Sequence, residues 1–300
     1  MQNYHEFYKN RNVLVTGGAG FIGSHLCEYL VNLGAQVRIL DNLSTGKLEN
    51  INGFSGSIEF IQGTITSLDD CLKAAHGIDT IFHLAAEVSV AESHKNPHPA
   101  LTINVQGTSN ILEAARIQGV KMVVFASSAA VYGNHEGRCS EKLLPTPVST
   151  YGYAKLIGEQ LCQLHSKAYN IKTVSLRYFN VYGPRQNPKS GDGGVLAVFE
   201  EKLKNNEPLV IFGDGLQTRD FVPVHTIVQA TLKAGTLPES LANGQPFNVG
   251  TGASVTLMSK LQELLKSYEH YTQPITHMAA RPGDIRHSAC DCSKLQKAVF

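Results

Sequence analysis

Asn12-Val-Leu-Val-Thr16, followed at once by Gly17-Gly-Ala-Gly-Phe-Ile-Gly23, is the stretch on which the fold turns. The first five residues read as a short strand buried on both faces. Beyond the glycines, Ile22, Leu26, Tyr29, Leu30 and Leu33 fall on one helical face. Gly34 is placed to end that helix, and Gln36-Val-Arg-Ile-Leu40 reads as a second strand ending in Asp41. Residues 12–41 thus form one βαβ unit. A G-x-x-G-x-x-G string matches many loops by chance. Here it joins a strand to a helix, and an acid closes the next strand, which is the context of a dinucleotide-binding turn. Gly17 permits the tight turn, Gly20 lets the backbone approach a pyrophosphate, and Gly23 lets the helix pack on the strand. The N–H groups that open the helix, at Phe21 and Ile22, then favour phosphate. Asp41 is placed to accept hydrogen bonds from a ribose diol and would repel a 2′-phosphate, so NAD is favoured over NADP.

The alternation continues outward from this unit. Residues 57–61 read as a strand, 67–75 as a helix with Ser67 as N-cap and Asp70 at N3, and 80–84 as a strand. A long helix is expected from Pro97 to just before Gly119, then a strand over 121–126, a helix over 150–169 and a strand over 172–178. Strand–helix alternation with runs of Val, Ile and Leu predicts an α/β fold, a doubly wound parallel sheet of Rossmann type. After Gly183-Pro184 the composition changes, and 184–194 reads as a loop over a site. A helix over 195–205 and a strand over 209–212 follow, while 221–224, a helix over 226–234 and 247–249 read as returns to the main sheet. The expected organisation is a dinucleotide-binding domain over 1–182 with returning segments in 221–249. A smaller, discontinuous substrate-binding domain would comprise 183–220 and 250–300.

Composition narrows the function. The 300 residues are 42% hydrophobic and 17% charged, which fits a globular chain with a sizeable core. Lys plus Arg is 26 against 25 Asp plus Glu, a net charge of +1, which gives no footprint for nucleic acid or an anionic membrane. No apolar run approaches the ~20 residues of a membrane span. Residues 1–11 lack the apolar core of a secretion signal. Six cysteines without a Cys-x-x-Cys pair suit a reducing compartment, so a cytoplasmic protein is expected. Cys290 and Cys292 lack a second pair to complete a zinc site, and no metal is expected.

Tyr151-Gly-Tyr-Ala-Lys155 sets a phenol and an ammonium at i and i+4 on one helix face. A nearby positive charge lowers a phenol's pKa from its reference of ~10 and makes it usable as a base. Ser127-Ser128 follows the strand ending at Ala126, and ligands of parallel sheets bind beyond such strand ends. A serine there can hydrogen-bond both the phenol and a substrate oxygen. Ser128, Tyr151 and Lys155 are therefore the candidate catalytic set. A Tyr-x-x-x-Lys pair alone is common in helices; the glycine turn and the serines give it weight.

On these residues the chain resembles the extended short-chain dehydrogenase/reductases, and within them the UDP-sugar 4-epimerases, over nearly its whole length. Besides the glycine turn and the Tyr–Lys pair, the resemblance is carried by several motifs. These are Asp41-Asn-Leu-Ser-Thr-Gly46, His83-Leu-Ala-Ala86, Ser127-Ser-Ala-Ala-Val-Tyr-Gly133, Arg177-Tyr-Phe-Asn-Val-Tyr-Gly-Pro184, Gly213-Asp-Gly215 with Arg219-Asp220, and Arg281-Pro-Gly-Asp284. It implies Tyr151 as base, Ser128 as its partner on substrate, and Lys155 as the cation that also holds the nicotinamide ribose. It implies further NAD contacts from Asn42, Gly46, Ile65, Leu84, Ala85, Ala86, Asn104 and Tyr178. A UDP-sugar would be held by Ser89, Asn180, Val195, Arg219, Arg281 and Asp284, and Ser288 would face the sugar. A small residue at that last position leaves room for an acetamido group, which implies UDP-GlcNAc and UDP-GalNAc, with UDP-Glc and UDP-Gal also admitted. A homodimer through the helices at 97–118 and 150–169 is implied as well.

Three departures accompany the resemblance. Thr64 stands where an Asp beside the adenine is usual. His225 replaces an Asp that opens a helix, with Thr226 expected to cap in its place. The chain stops at Phe300, where relatives continue for a further helix. Other enzymes of this scaffold are weaker readings. Dehydratases carry an Asp-Glu pair where this chain has Ala129 and Ala130, and decarboxylases a Glu at the second of these. A uronic acid epimerase or an NADP-dependent 4-reductase would share most motifs. A non-catalytic NAD sensor or scaffold would be expected to lack the tyrosine or the lysine.

Overall fold

The computed structural model describes residues 4–135, 137–188, 194–280 and 285–299. A short helix α1 (Tyr4–Tyr8) precedes β1 (Asn12–Thr16), whose Val13, Leu14 and Val15 are wholly buried, as a central parallel strand requires. There follow α2 (Phe21–Asn32), β2 (Gln36–Asp41), β3 (Ile58–Gln62), α3 (Leu68–Ala75) and β4 (Thr80–His83). Ser67 caps α3 by accepting from the Asp70 N–H, while the Asp70 carboxylate turns away and accepts from the Thr64 N–H.

The expected long helix is broken into α4 (Val90–Lys95), α5 (Pro97–Leu101) and α6 (Gly107–Gln118), with a π-helical turn over Thr102–Gln106. Such turns insert a residue into the ladder and often mark functional regions. Next come β5 (Met122–Ser128), β6 (Gly137–Cys139), α7 (Thr150–Tyr169), β7 (Lys172–Tyr178), β8 (Asn180–Tyr182), α8 (Val195–Lys204), β9 (Leu209–Phe212), β10 (Thr218–Arg219) and β11 (Phe221–Pro223). The chain continues through α9 (Val224–Ala234), β12 (Asn243–Val249), β13 (Val255–Thr256), α10 (Leu257–Leu265), β14 (Ile275–Met278), β15 (Ser288–Cys290) and α11 (Ser293–Val299).

Seven strands form the main sheet in the order β12-β7-β5-β4-β1-β2-β3, all parallel. Chain order reverses between β1 and β4, which opens a crevice beyond their C-terminal ends. A second, smaller core gathers Leu196, Phe199, Leu203, Leu209, Ile211, Leu257 and Leu261.

Three further expectations are corrected. Residues 221–223 do not return to the main sheet; β11 pairs with β8 in a separate parallel ladder, and only β12 rejoins the sheet edge. α9 starts at Val224 behind Pro223 with no side-chain cap, so Thr226 lies inside its first turn and caps nothing. Residues 288–299 pack with the main sheet, not the smaller core: β15 pairs with β6, and Cys290, Leu295 and Val299 join the large core.

Candidate active site

A cleft of about 750 Å³ opens over the crevice. Its wall includes Gly17, Gly20, Phe21, Ile22, Gly23, Asp41, Asn42, Thr64 and Ile65 from the first half of the sheet. Leu84, Ala85, Ala86, Ser128, Tyr151, Lys155 and Tyr178 line it as well, as do Asn180, Val195, Arg219 and Ser288. Gly17 has φ +72°, a left-handed conformation natural to glycine. A Cβ on Gly23 would sit 2.1 Å from the Gly17 carbonyl oxygen, so only glycine lets α2 begin here. The N-cap of α2 is Gly20, with no side-chain cap and no acid in the first turn, so that end stays open to an anion. Asp41 closes the corner: its Oδ2 accepts from the Ala19 N–H at 3.0 Å and its Oδ1 from the Leu43 N–H at 2.8 Å. Burial raises its pKa above the usual carboxylate value, and the two backbone donors oppose that rise. A diphosphate at the bare helix end and a ribose beside Asp41 fit these residues, as NAD requires.

The reactive group is set by α7. Ser149 caps this helix by accepting from the Gly152 N–H at 3.0 Å. Lys155 is 4% exposed; its Nζ donates to the Ala126 carbonyl at 2.8 Å and stands 5.6 Å from the centre of the Tyr151 ring. Burial pushes its pKa down to about 8. Ser128 Oγ accepts from the Ala130 N–H at 3.2 Å, which fixes the turn after β5.

Two buried polar networks that the sequence reading did not assign support these loops. In the first, the Thr108 hydroxyl donates to the Asn104 carbonyl at 2.6 Å, so it accepts from His83 Nε2–H at 3.1 Å. His83 Nδ1 then accepts from the Thr16 hydroxyl at 2.8 Å, and Thr16 Oγ1 accepts from the Ala85 N–H. The imidazole is neutral in one tautomer, its pKa pushed down to about 3 by burial and then by Lys155. In the second, Glu159 and Arg177 form a bidentate ion pair, both nearly inaccessible, with Ser127 donating to the same carboxylate.

Three of the expected contacts are not part of the cleft wall. Asn104 is buried beneath it, its Nδ2 donating to the Glu87 carbonyl and its Oδ1 accepting from the Glu87 N–H, both at 2.8 Å. Its task is to hold the loop after β4. Ser89 is the N-cap of α4 and accepts from the Glu92 N–H. Gly46 packs behind Asp41, against Ala19. Tyr178 reaches the cleft, but its hydroxyl is paired with Thr231 at 2.7 Å. Arg281 and Asp284 lie outside the described residues. Among the described residues there is no metal-binding cluster and no helix long and apolar enough to cross a membrane.

Fold and cleft together define a Rossmann-type dinucleotide-dependent enzyme. Residues 13–250 match the NAD dependent epimerase/dehydratase family. A putative UDP-glucose 4-epimerase from Methanocaldococcus jannaschii is 38% identical over 287 residues, covering 95% of this chain and 91% of that protein. A solved UDP-N-acetylglucosamine 4-epimerase from Methanobrevibacter ruminantium, in complex with UDP-N-acetylmuramic acid, is similar with a TM-score of 0.90 at 35% identity, over 97% of this chain and 93% of that one. The Thermus thermophilus UDP-glucose 4-epimerase in complex with NAD gives 0.86 at 34% identity, over 95% and 92%. The chain belongs to the NAD-dependent epimerase/dehydratase family and stands among its UDP-sugar 4-epimerases, which are isomerases. NAD is its cofactor.

Proposed function

We propose that this chain inverts C4 of UDP-GlcNAc and UDP-GalNAc through a 4-keto sugar, with UDP-Glc and UDP-Gal as further substrates. The observation that carries the reaction type is the grouping of Ser128, Tyr151 and Lys155 in one cleft, with Ala129 and Ala130 beside them. Tyr151 takes the proton of the sugar 4-hydroxyl, and Ser128 holds that oxygen. The Lys155 ammonium favours the phenolate. NAD, when bound, accepts and returns the hydride, so the cycle has no net redox change. The flat ketone turns over between the two transfers. Ala129 and Ala130 have no proton to move, which leaves elimination of water without an acid or base at those positions.

Arg219 and Asn180 are assigned to the diphosphate and Val195 to the uracil. By resemblance, Arg281 and Asp284 complete the grip on phosphate and uridine ribose. Charge-assisted hydrogen bonds are worth ~1.5–3 kcal/mol each. Arg219→Ala is therefore expected to lower UDP affinity about tenfold or more by calorimetry while sparing NAD. Unaltered UDP affinity would remove Arg219 from the site.

Ser288 supports the substrate assignment, because it is a small, half-buried residue on the cleft wall. Ser288→Tyr is expected to cost the acetamido substrate ~1–3 kcal/mol through overpacking. The ratio of kcat/KM for UDP-GlcNAc over UDP-Glc should fall accordingly, and an unaltered ratio would refute the gatekeeper role. The reading as a whole is tested by incubating the NAD-loaded protein with each sugar nucleotide and separating the products. Both pairs should interconvert without NADH absorbance building up. A protein that turns over UDP-Glc and ignores UDP-GlcNAc would overturn the substrate choice.

A further inference from the structure

We infer that Glu87 is a charge filter in the sugar half of the cleft, turning away nucleotide sugars that carry a carboxylate at C6. The inference rests on the 4-epimerase reading for the sugar's place near Tyr151.

Glu87 is part of the cleft wall. It follows Leu84, Ala85 and Ala86 in the segment leaving β4. His83 is paired with Phe125 of β5, so Glu87 and Ser128 both lie shortly past the same rung, on neighbouring strands. The segment then runs into α4 and α5, and both pack against α7, whose first turn carries Tyr151. Glu87 therefore lies on the loop that leads from beside the end of β5 to the helices packed on α7, the helix of the base.

Its carboxylate is held in place. The backbone N–H and C=O of Glu87 are both bonded to the Asn104 side chain, and its own Oε1 accepts from the Ser89 N–H at 2.9 Å. Asn104 lies in the π-helical turn and is 2% exposed, so the clamp belongs to the rigid core. A side chain bonded this way does not swing aside for an incoming anion.

No direct ion pair among the described residues neutralises it. Among the described residues no cation is in ion-pair contact with Glu87. Lys155 donates to the Ala126 carbonyl, and Arg219 is assigned to the diphosphate. The other carboxylate of the wall, Asp41, belongs to the cofactor corner. A uronate would bring a second fixed negative charge beside Glu87 in a partly desolvated space, where like charges repel most strongly. A neutral hydroxymethyl group at C6 brings a donor for the carboxylate's remaining lone pairs.

The test is calorimetric titration of the NAD-loaded protein with UDP-glucose and with UDP-glucuronate. The unmodified protein should bind UDP-glucose about tenfold or more tightly than UDP-glucuronate, the scale of an unpaired like-charge contact. Glu87→Gln, which keeps the shape and removes the charge, should close most of that gap, and Glu87→Asp should preserve it. Equal affinities in the unmodified protein, or a gap that Glu87→Gln leaves intact, would overturn the filter. Should Glu87→Gln fail to fold, Glu87→Ala, which also removes the charge, decides: a gap that closes supports the filter, and a gap that persists overturns it. Because the readout is binding, it separates from the epimerase reading: a protein that shows the gap but yields no C4 epimer overturns that reading and leaves the filter standing.

Discussion

Tyr151→Phe is expected to lose about 10²–10⁴-fold in turnover while keeping its NAD, the usual contribution of a positioned general base. The substitution removes one oxygen. The ring, the helix cap at Ser149 and the Lys155 contact to the Ala126 carbonyl are left in place. The glycine turn and Asp41, which form the adenosine corner, belong to other elements of the fold. Cofactor content after acid release and kcat on UDP-GlcNAc check the two halves separately. Unchanged turnover with full cofactor would end the role of Tyr151. Loss of both together would point to the fold instead, and circular dichroism of the purified variant separates that case. Burial lowers the pKa of Lys155 to about 8, and the ammonium form still predominates at neutral pH.

The parts of this molecule visible in the sequence are those fixed by local rules. The strand, glycine turn, helix and strand of residues 12–41 could be read directly because each piece has its own period or its own backbone requirement. The same holds for Ser67, whose capping bond is made within one turn. The elements that local rules misplace depend on distant partners. Residues 221–223 are too few to declare which sheet they join, and β8 decides it. The π-helical turn is set by what Asn104 must reach, so a periodic pattern reads through it as plain helix. The resemblance places Asn104 and Ser89 on ligands, but a motif position does not distinguish a residue that lines a cleft from one that braces the loop beside it, which is what both do here. Glu159 carries a legible signal of its own, because it falls four residues after Lys155 on the same buried face. An acid on such a face signals a buried cation, and Arg177, inside a motif already singled out, supplies it.

That pair leads to the largest stability effect expected of a single substitution. Arg177 donates through Nε and Nη2 to the two Glu159 oxygens at 2.8 and 2.7 Å, and through Nη1 to the Tyr132 hydroxyl at 2.9 Å. Tyr132 in turn donates to Asn248 Oδ1 at 2.7 Å, and Asn248 Nδ2 donates to the carbonyls of Cys139 and Asp291. Strands β5, β7 and β12, helix α7 and the C-terminal stretch are thereby bonded through one buried network. Arg177→Met removes the cation and keeps most of the volume. It leaves Glu159 as a buried carboxylate with only Ser127 as donor, a state that typically costs about 3–5 kcal/mol. Urea unfolding of the NAD-free protein should show that loss as a lower midpoint at an unchanged slope. Adding Glu159→Leu to Arg177→Met should restore a large share of the stability, because desolvating an unpaired charge costs more than forgoing the pair. The double variant separates the two explanations that a single one confounds. If the pair mattered only as attraction, removing its second member would change nothing further. If the cost is the stranded carboxylate, the second substitution relieves it. A midpoint in Arg177→Met equal to that of the unmodified protein would sink both, and would mean that water or another cation reaches Glu159 in the core.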